Sequence, residues 1–594
     1  MRLVKRYRAR ELVAIILPRD RLTITKRMTA IDQTTLTVIN NYLTGTCREM
    51  GLAMVRTAYS PMFNEALDFS CVIFNRFGRL IGQAEFCPSQ IGTIKGTVEC
   101  LLDVVGLDAF KPGDILLTND PYHGVGHVPE YTVLQGVFGN DGNLLFCVAN
   151  CAHMAEPGAK VPGGLAGDAT EIYQEGLILP PVWLYRNGEE VKDIWNIILA
   201  NHRTPDCSRG DLLAMVGSLT VAEKRLHELL KHYGEGLVEQ VADELLAIAE
   251  RRMCSEIEKI PDGSYCYEDT IEDDGVSTES YQMKVKVTVD GSVLTADFDG
   301  SDSQAKGPMN ANYSVTASAV YNAILHLTDP NIPRNDGCYR PIKIKVPLGS
   351  ILNCRHPAAL VGGNTEISPR ITDMIFGALM PALPHIVPAG LGGTSCCFLF
   401  GGHHPVTGEP YAHFHFEGVG WGARQGQDGN NVVIVINGNC MATPVEIFET
   451  RFPFIIESYR LLEDSGGAGQ WRGGLGGERI LTVNAPEVTV SALFNRTQLA
   501  PPGRSGGHDG ATAGIFVKRR GGEKFCTFKE SFNTISEAKF SGITLMNGDQ
   551  VRLVFPGGGG FGNPHKRDPE LVRQDVEIGF VSKEVARNVY GTFL

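Results

Sequence analysis

Several features that would declare a protein's class are missing from this 594-residue chain. Its 15 cysteines are scattered, odd in number and contain no Cys-x-x-Cys pair, which argues against a disulfide framework or zinc ribbon and for buried thiols in a reducing cytoplasm. The Gly-x-x-x-x-Gly-Lys-Ser/Thr phosphate loop is absent. So are long basic runs, and with a formal net charge of -13 neither nucleic acid nor an anionic membrane is expected as a partner. No apolar run is long enough to span a bilayer; the stretch Leu12–Leu17 is short, is followed at once by Arg19, Asp20 and Arg21, and has no small-residue cleavage site. Internal repeats of fixed period are missing too.

What is present is an ordinary globular composition, 43% hydrophobic and 20% charged, in a chain long enough for several subdomains. The pattern predicts a multidomain α+β protein with mixed helices and antiparallel sheets. Residues 1–31 read as a loose extension, 32–260 as an N-terminal α+β domain, 261–388 as a central α+β domain, and 389–594 as a glycine-rich, β-dominated domain ending in helices. Leu36, Ile39, Leu43 and Met50 have helical spacing behind Asp32 as an N-cap. The segment 211–252 predicts two helices broken at Tyr233-Gly234, and Asp290-Gly291 marks a hairpin. Clusters such as GGAGQWRGGLGG and PGGGGFG predict tight turns and close backbone approach rather than a phosphate cradle, since the Lys-Ser/Thr of such a loop does not follow.

The chemically richest stretch runs from Lys111 to Glu156. Two apolar strand-like runs flank a polar turn carrying Asn119, Asp120, His123, His127 and Glu130, and His153 and Glu156 follow the second run. If the chain has a metal site, it is expected here. Asp120 reads chiefly as a turn builder and His123 as a neighbour of the ligands or a turn residue. Glu65 and Asp68 are candidates for proton transfer in the same pocket, with a plain salt bridge as the competing reading. Glu171 and Glu175, four apart, would share a helical face, where one could act as a general base. His413 and His415 would share one face of a strand, more often a structural arrangement than a ligand pair.

The segments NDPYHGVGHVPEYTV, DATEIYQEGLILPP, GGNTEISPRI, GWGARQGQDG, TPVEIFETRFP, DSGGAGQWRGGLGG and PGGGGFGNPHKRDPE, in that order, resemble the hydantoinase B/5-oxoprolinase family over roughly Asp32 to Tyr590. The resemblance implies a B-type subunit of an ATP-dependent complex, working with an A-type ATPase subunit that phosphorylates the substrate. Members hydrolyse cyclic amides such as hydantoins or 5-oxoproline, and related complexes carboxylate acetone or acetophenone. It further implies a divalent cation (zinc, manganese or magnesium) on His127, Glu130 and His153, with ATP used through the partner. This chain has Glu130 where the family has Asp, His153-Met154-Ala155-Glu156 where a His-His-x-Asp run is usual, and Gln90 in place of a His. Cyclic-amide hydrolysis is the first expectation, ketone carboxylation the second, and a scaffold without catalytic function the third.

Overall fold

The computed structural model describes residues 31–593, so the expected N-terminal extension lies outside it except for Ile31. Helix α1 (Gln33–Thr57) begins where the sequence predicts, the Asp32 side chain accepting the Thr35 backbone N–H at 2.9 Å. It packs with α3 (Pro205–Tyr233) beside a seven-stranded antiparallel sheet. The strands are β1 (Phe69–Asn75), β2 (Leu80–Gln83), β3 (Ile115–Thr118), β4 (Glu130–Phe138), β5 (Leu144–His153), β6 (Val182–Arg186) and β7 (Glu189–Glu190), in the spatial order β2-β1-β5-β4-β3-β6-β7.

Every residue of β1 is buried, because the sheet is covered on both faces. Asn150 of β5 donates to Met215 O and Ser218 Oγ of α3, so His153, an odd number of residues on, points from the opposite face. That face also meets α2 (Pro88–Val105), which packs on α5 (Tyr313–Leu327). Between α3 and the next helix, α4 (Glu235–Ile257), the chain breaks at Gly234 with φ 77°, a left-handed backbone that favours glycine.

A second sheet, β11-β10-β9-β8, follows α4: β8 (Gly263–Ile271), β9 (Tyr281–Asp290) and β10 (Val293–Asp297) form a meander, and β11 (Ile342–Lys345) joins in parallel. Beyond α6 (Ser368–Leu379) lie two more sheets. One contains β12 (Cys397–His403), β13 (Pro410–His415), β16 (Glu487–Leu493) and β19 (Lys539–Met546); the other contains β14 (Phe454–Leu461), β15 (Gly477–Val483), β17 (Gly514–Lys518), β18 (Cys526–Thr527) and β20 (Gln550–Val554). The principal hydrophobic core draws on both the 32–260 and 261–388 segments and reaches Cys397, Leu399, Phe414 and Leu493 of the C-terminal sheets, and a second core fills those sheets around Phe400, Phe448 and Phe454.

The glycine clusters interleave as bare backbone. A Cβ on Gly473 would stand 2.0 Å from Gly558 O, and one on Gly558 would stand 2.1 Å from Trp421 O. Close approach of main chains, as the sequence predicts, is therefore their role. Among the described residues no helix is long and apolar enough to cross a membrane.

Candidate active site

Three neighbouring strands of the first sheet bring their ends to one cavity. Glu130, the first residue of β4, is paired in register with His153, the last of β5, and the His153 N–H donates to Asp68 O just before β1 at 3.1 Å. His127 enters from the turn before β4, its Nε2 3.1 Å from His153 Nδ1 and 3.9 Å from Glu130 Oε1. Residues distant in sequence close the cavity. Asn364, in a π-helical turn ahead of α6, donates to Glu130 Oε1 at 2.8 Å; Phe414 of β13 stacks on His153 with ring centres 4.5 Å apart; and Cys87, Ser89, Asn437, Gly438 and Cys440 line the far wall. The space measures about 40 Å³, enough for an ion and a water. Ile434 and Val435 separate it from a cleft of about 680 Å³ that also touches Phe86, Tyr321 and Trp421.

The local chain explains why these groups can meet. Asn119 ties the turn together, donating to Val128 O and Leu177 O at 2.8 Å each and accepting from Leu179 N at 2.7 Å. Gly126 is required by space: a Cβ there would stand 2.3 Å from Glu130 Oε2. The His127 ring is set by Nδ1–H donating to Val361 O at 3.2 Å, which leaves Nε2 with its lone pair toward His153.

Burial without a counter-charge sets the electrostatics. It pushes the Asp68 carboxyl up to about 7 and the Glu130 carboxyl up to about 8, Asp68 adding to the latter, and it pushes His127 down to about 4. His153 falls well below the ordinary imidazole value, first by burial and then through His127 and His413. Gln90 Nε2 donates to Asp68 Oδ1 at 2.9 Å and also favours the ionised form of Glu130. Among the described residues, Glu130 Oε2 and His153 Nε2 are buried with no hydrogen-bond partner. Such orphaned atoms are costly. Two neutral imidazoles and a carboxyl, with nitrogen atoms at ligand-to-ligand separation, suit a divalent cation.

The other sequence candidates land elsewhere. Asp120 caps the 3₁₀ turn Pro121–His123, accepting from Tyr122 N at 2.9 Å, and lies 2.9 Å from His123 Nδ1, so this pair builds the turn and does not line the cavity. Glu65 ends a single helical turn, half-buried, outside the cavity lining. Glu171 and Glu175 do not share a helical face, because they flank a three-residue 3₁₀ turn with a tighter repeat than an α-helix: Glu171 is exposed and Glu175 buried. Glu175 instead accepts from Leu360 N and Val361 N at 2.7 and 2.8 Å, which fixes the carbonyl that orients His127. His413 and His415 do share a face of β13. His415 pairs with Glu417, which Arg479 holds, while both ring nitrogens of His413 lack partners among the described residues.

Asn364, Cys87, Asn437, Cys440 and Phe414 escaped sequence reasoning. Asn364 lies in GGNTEISPRI, a motif that carried no assigned role, and nothing in the local sequence of the others signals the cavity.

Known proteins share this fold and its length. The B component of a putative D-/L-hydantoinase from Pseudomonas sp. (strain NS671) is 30% identical over 94% of this chain and 95% of that protein. The crystal structure of an ATP-dependent caprolactamase from Pseudomonas jessenii superposes with a TM-score of 0.86 at 29% identity, covering 95% of this chain and 97% of that one. A nucleotide-free acetone carboxylase structure shares the fold, with a TM-score of 0.85 at 19% identity over 94% and 79% of the two chains. The profile of the hydantoinase B/oxoprolinase family matches residues 32–564, and the chain belongs to that family.

Proposed function

We propose that this chain is the hydrolytic B-type subunit of an ATP-dependent complex that opens a cyclic amide of the hydantoin or 5-oxoproline type, after an A-type ATPase subunit has phosphorylated it. The observation that carries the reading is the uncompensated cluster at the strand ends: Asp68, His127, Glu130 and His153 are buried together, and among the described residues no lysine or arginine is bonded to them. Groups held this far from their ordinary proton affinities are arranged for chemistry or a cation more often than for stability. Relatives with named activities that cover nearly the whole chain support the hydrolytic class.

In this reading His127, Glu130 and His153 hold a divalent cation, which when bound polarises the oxygen of the activated amide. Asp68, with a proton affinity near 7 and its carboxyl oriented by Gln90, takes the proton of the attacking water. The same proton passes to the ring nitrogen, and collapse of the adduct opens the C–N bond to leave an acyl phosphate; a second water then releases the phosphate and leaves the carboxylate. Phe414 and Phe416 keep further water away. Substrate enters through the large cleft, displacing the wall at Ile434 and Val435, because a five-membered ring exceeds the present cavity.

The test is turnover of the chain with its partner, ATP, and hydantoin or 5-oxoproline. His127→Ala and His153→Ala are expected to lose on the order of 10²-fold or more. Full turnover in both variants retires the catalytic reading in favour of a scaffold. Label from bicarbonate appearing in product, with a ketone as substrate, replaces hydrolysis with carboxylation.

A further inference from the structure

The expected ligands are not the tightest donor set in the cavity. Among the described residues, one group of three His, Cys, Asp or Glu donors has all its ligand atoms within 4.8 Å of one another, and it is Asp68, Cys87 and Cys440. These come from the residue before β1, the residue before α2, and the loop after Asn437, and all three line the same cavity as His127, Glu130 and His153. We propose that Asp68, Cys87 and Cys440 form a second cation position, selective for a thiophilic divalent ion such as zinc or cadmium, whose occupancy removes Asp68 from proton transfer. The inference rests on the reading of Asp68 as the proton acceptor; the cation site itself does not.

Three features separate this cluster from ordinary buried thiols, which pack as small apolar side chains. The carboxylate oxygen and the two sulfurs lie within 4.8 Å of one another, a spacing that one ion can bridge. The surrounding partners are electron-rich oxygens: Asn437 O at 3.6 Å and Ser89 Oγ at 3.1 Å from Cys87 Sγ, and Gly438 O at 3.3 Å from Cys440 Sγ. Among the described residues, no basic side chain lines this cavity apart from the imidazoles of His127 and His153. A cation drawn in here replaces the two thiol protons, which leave to solvent, and forms two metal–thiolate bonds and one metal–carboxylate bond. Two thiolates with one carboxylate select soft ions over magnesium or manganese. A carboxylate oxygen that ligates a metal cannot accept a proton from water, so filling this position inhibits the hydrolytic step.

The test is titration of the reduced, full-length protein with Co²⁺ and with Cd²⁺. The expected result is a thiolate-to-metal charge-transfer absorption in the wild type, retained in His127→Ala and lost in the Cys87→Ser/Cys440→Ser double variant. Affinity is expected to fall on the order of tenfold or more in each single variant. In the assembled complex, Cd²⁺ is expected to inhibit turnover less in Cys440→Ser than in the wild type. A wild type with no thiolate absorption overturns the proposal whether or not the variants fold, as does an absorption unchanged in the double variant. Cobalt bound with an imidazole spectrum alone removes the second position and leaves the proposed function standing. A thiolate spectrum together with full turnover of His127→Ala and His153→Ala does the reverse.

Discussion

Two buried polar clusters in this protein differ in how their charge is answered. Where β8, α6 and the C-terminal loops meet, Arg370 grips both oxygens of Asp269 at 2.6 Å, Arg496 lies 3.5 Å from both Asp269 and Asp373, and Arg504 lies 3.3 Å from Asp373. Burial alone would raise Asp269, but Arg370 and Arg496 outweigh it and hold the carboxyl at about 2. In the strand-end cavity, burial acts on Asp68 and Glu130 with no arginine to oppose it, and both rise toward neutrality. The first cluster fastens the C-terminal half to the central helix. The second keeps protons and lone pairs available, which is the condition for proton transfer and for cation binding.

Exchanging the two behaviours gives the sharpest checks. Asp68→Asn keeps the shape of the carboxyl and removes its proton acceptance, so steady-state turnover of the complex should fall by about 10²–10⁴-fold while thermal unfolding is nearly unchanged. Arg370→Met should do the opposite to the compensated cluster: buried Asp269 loses its two-pronged partner and keeps only the more distant Arg496, and denaturant titration should show a loss of about 3–5 kcal/mol. If Asp68→Asn unfolds the protein and Arg370→Met does not, the division into a chemical and a fastening cluster fails.

Two smaller effects refine the chemical side. Gly126→Ala puts a methyl group 2.3 Å from Glu130 Oε2, and the displaced carboxylate should cost about 1–3 kcal/mol of stability with weaker retention of the cation, measured by unfolding and by metal content after dialysis. Glu175 gives a dependence on pH. Burial raises its carboxyl from 4.5 to about 8, so between those values the folded chain binds a proton that the unfolded chain has released. Its contribution to stability therefore falls as pH rises through that window and is level outside it. Glu175→Gln removes this slope, and the melting temperature of the variant should gain on the wild type between about pH 5 and pH 8.

Part of this was legible from the residues alone. Asp32 as a cap, the break at Gly234, the turn after Asp290 and the close packing of the glycine clusters each follow from a local preference: a side-chain acceptor for free N–H groups, a positive φ, or the absence of a Cβ. His127, Glu130 and His153 came from the family resemblance, and they do meet in one cavity. Glu171 and Glu175 misled because spacing cannot distinguish an α-helix from a 3₁₀ turn in so short a segment.

The sequence by itself determined the class of protein, its family and the segment that carries the site, because hydrophobic period, turn residues and motif order are properties of neighbours along the chain. Tertiary structure alone decided which groups share the cavity. Cys87, Asn364 and Cys440 lie far apart along the chain and reach the cavity from the N-cap of α2, a π-helical turn and a loop of the C-terminal half. Tertiary structure also decided the proton affinities of Asp68, Glu130 and Asp269, since burial and the presence or absence of an arginine are set by packing.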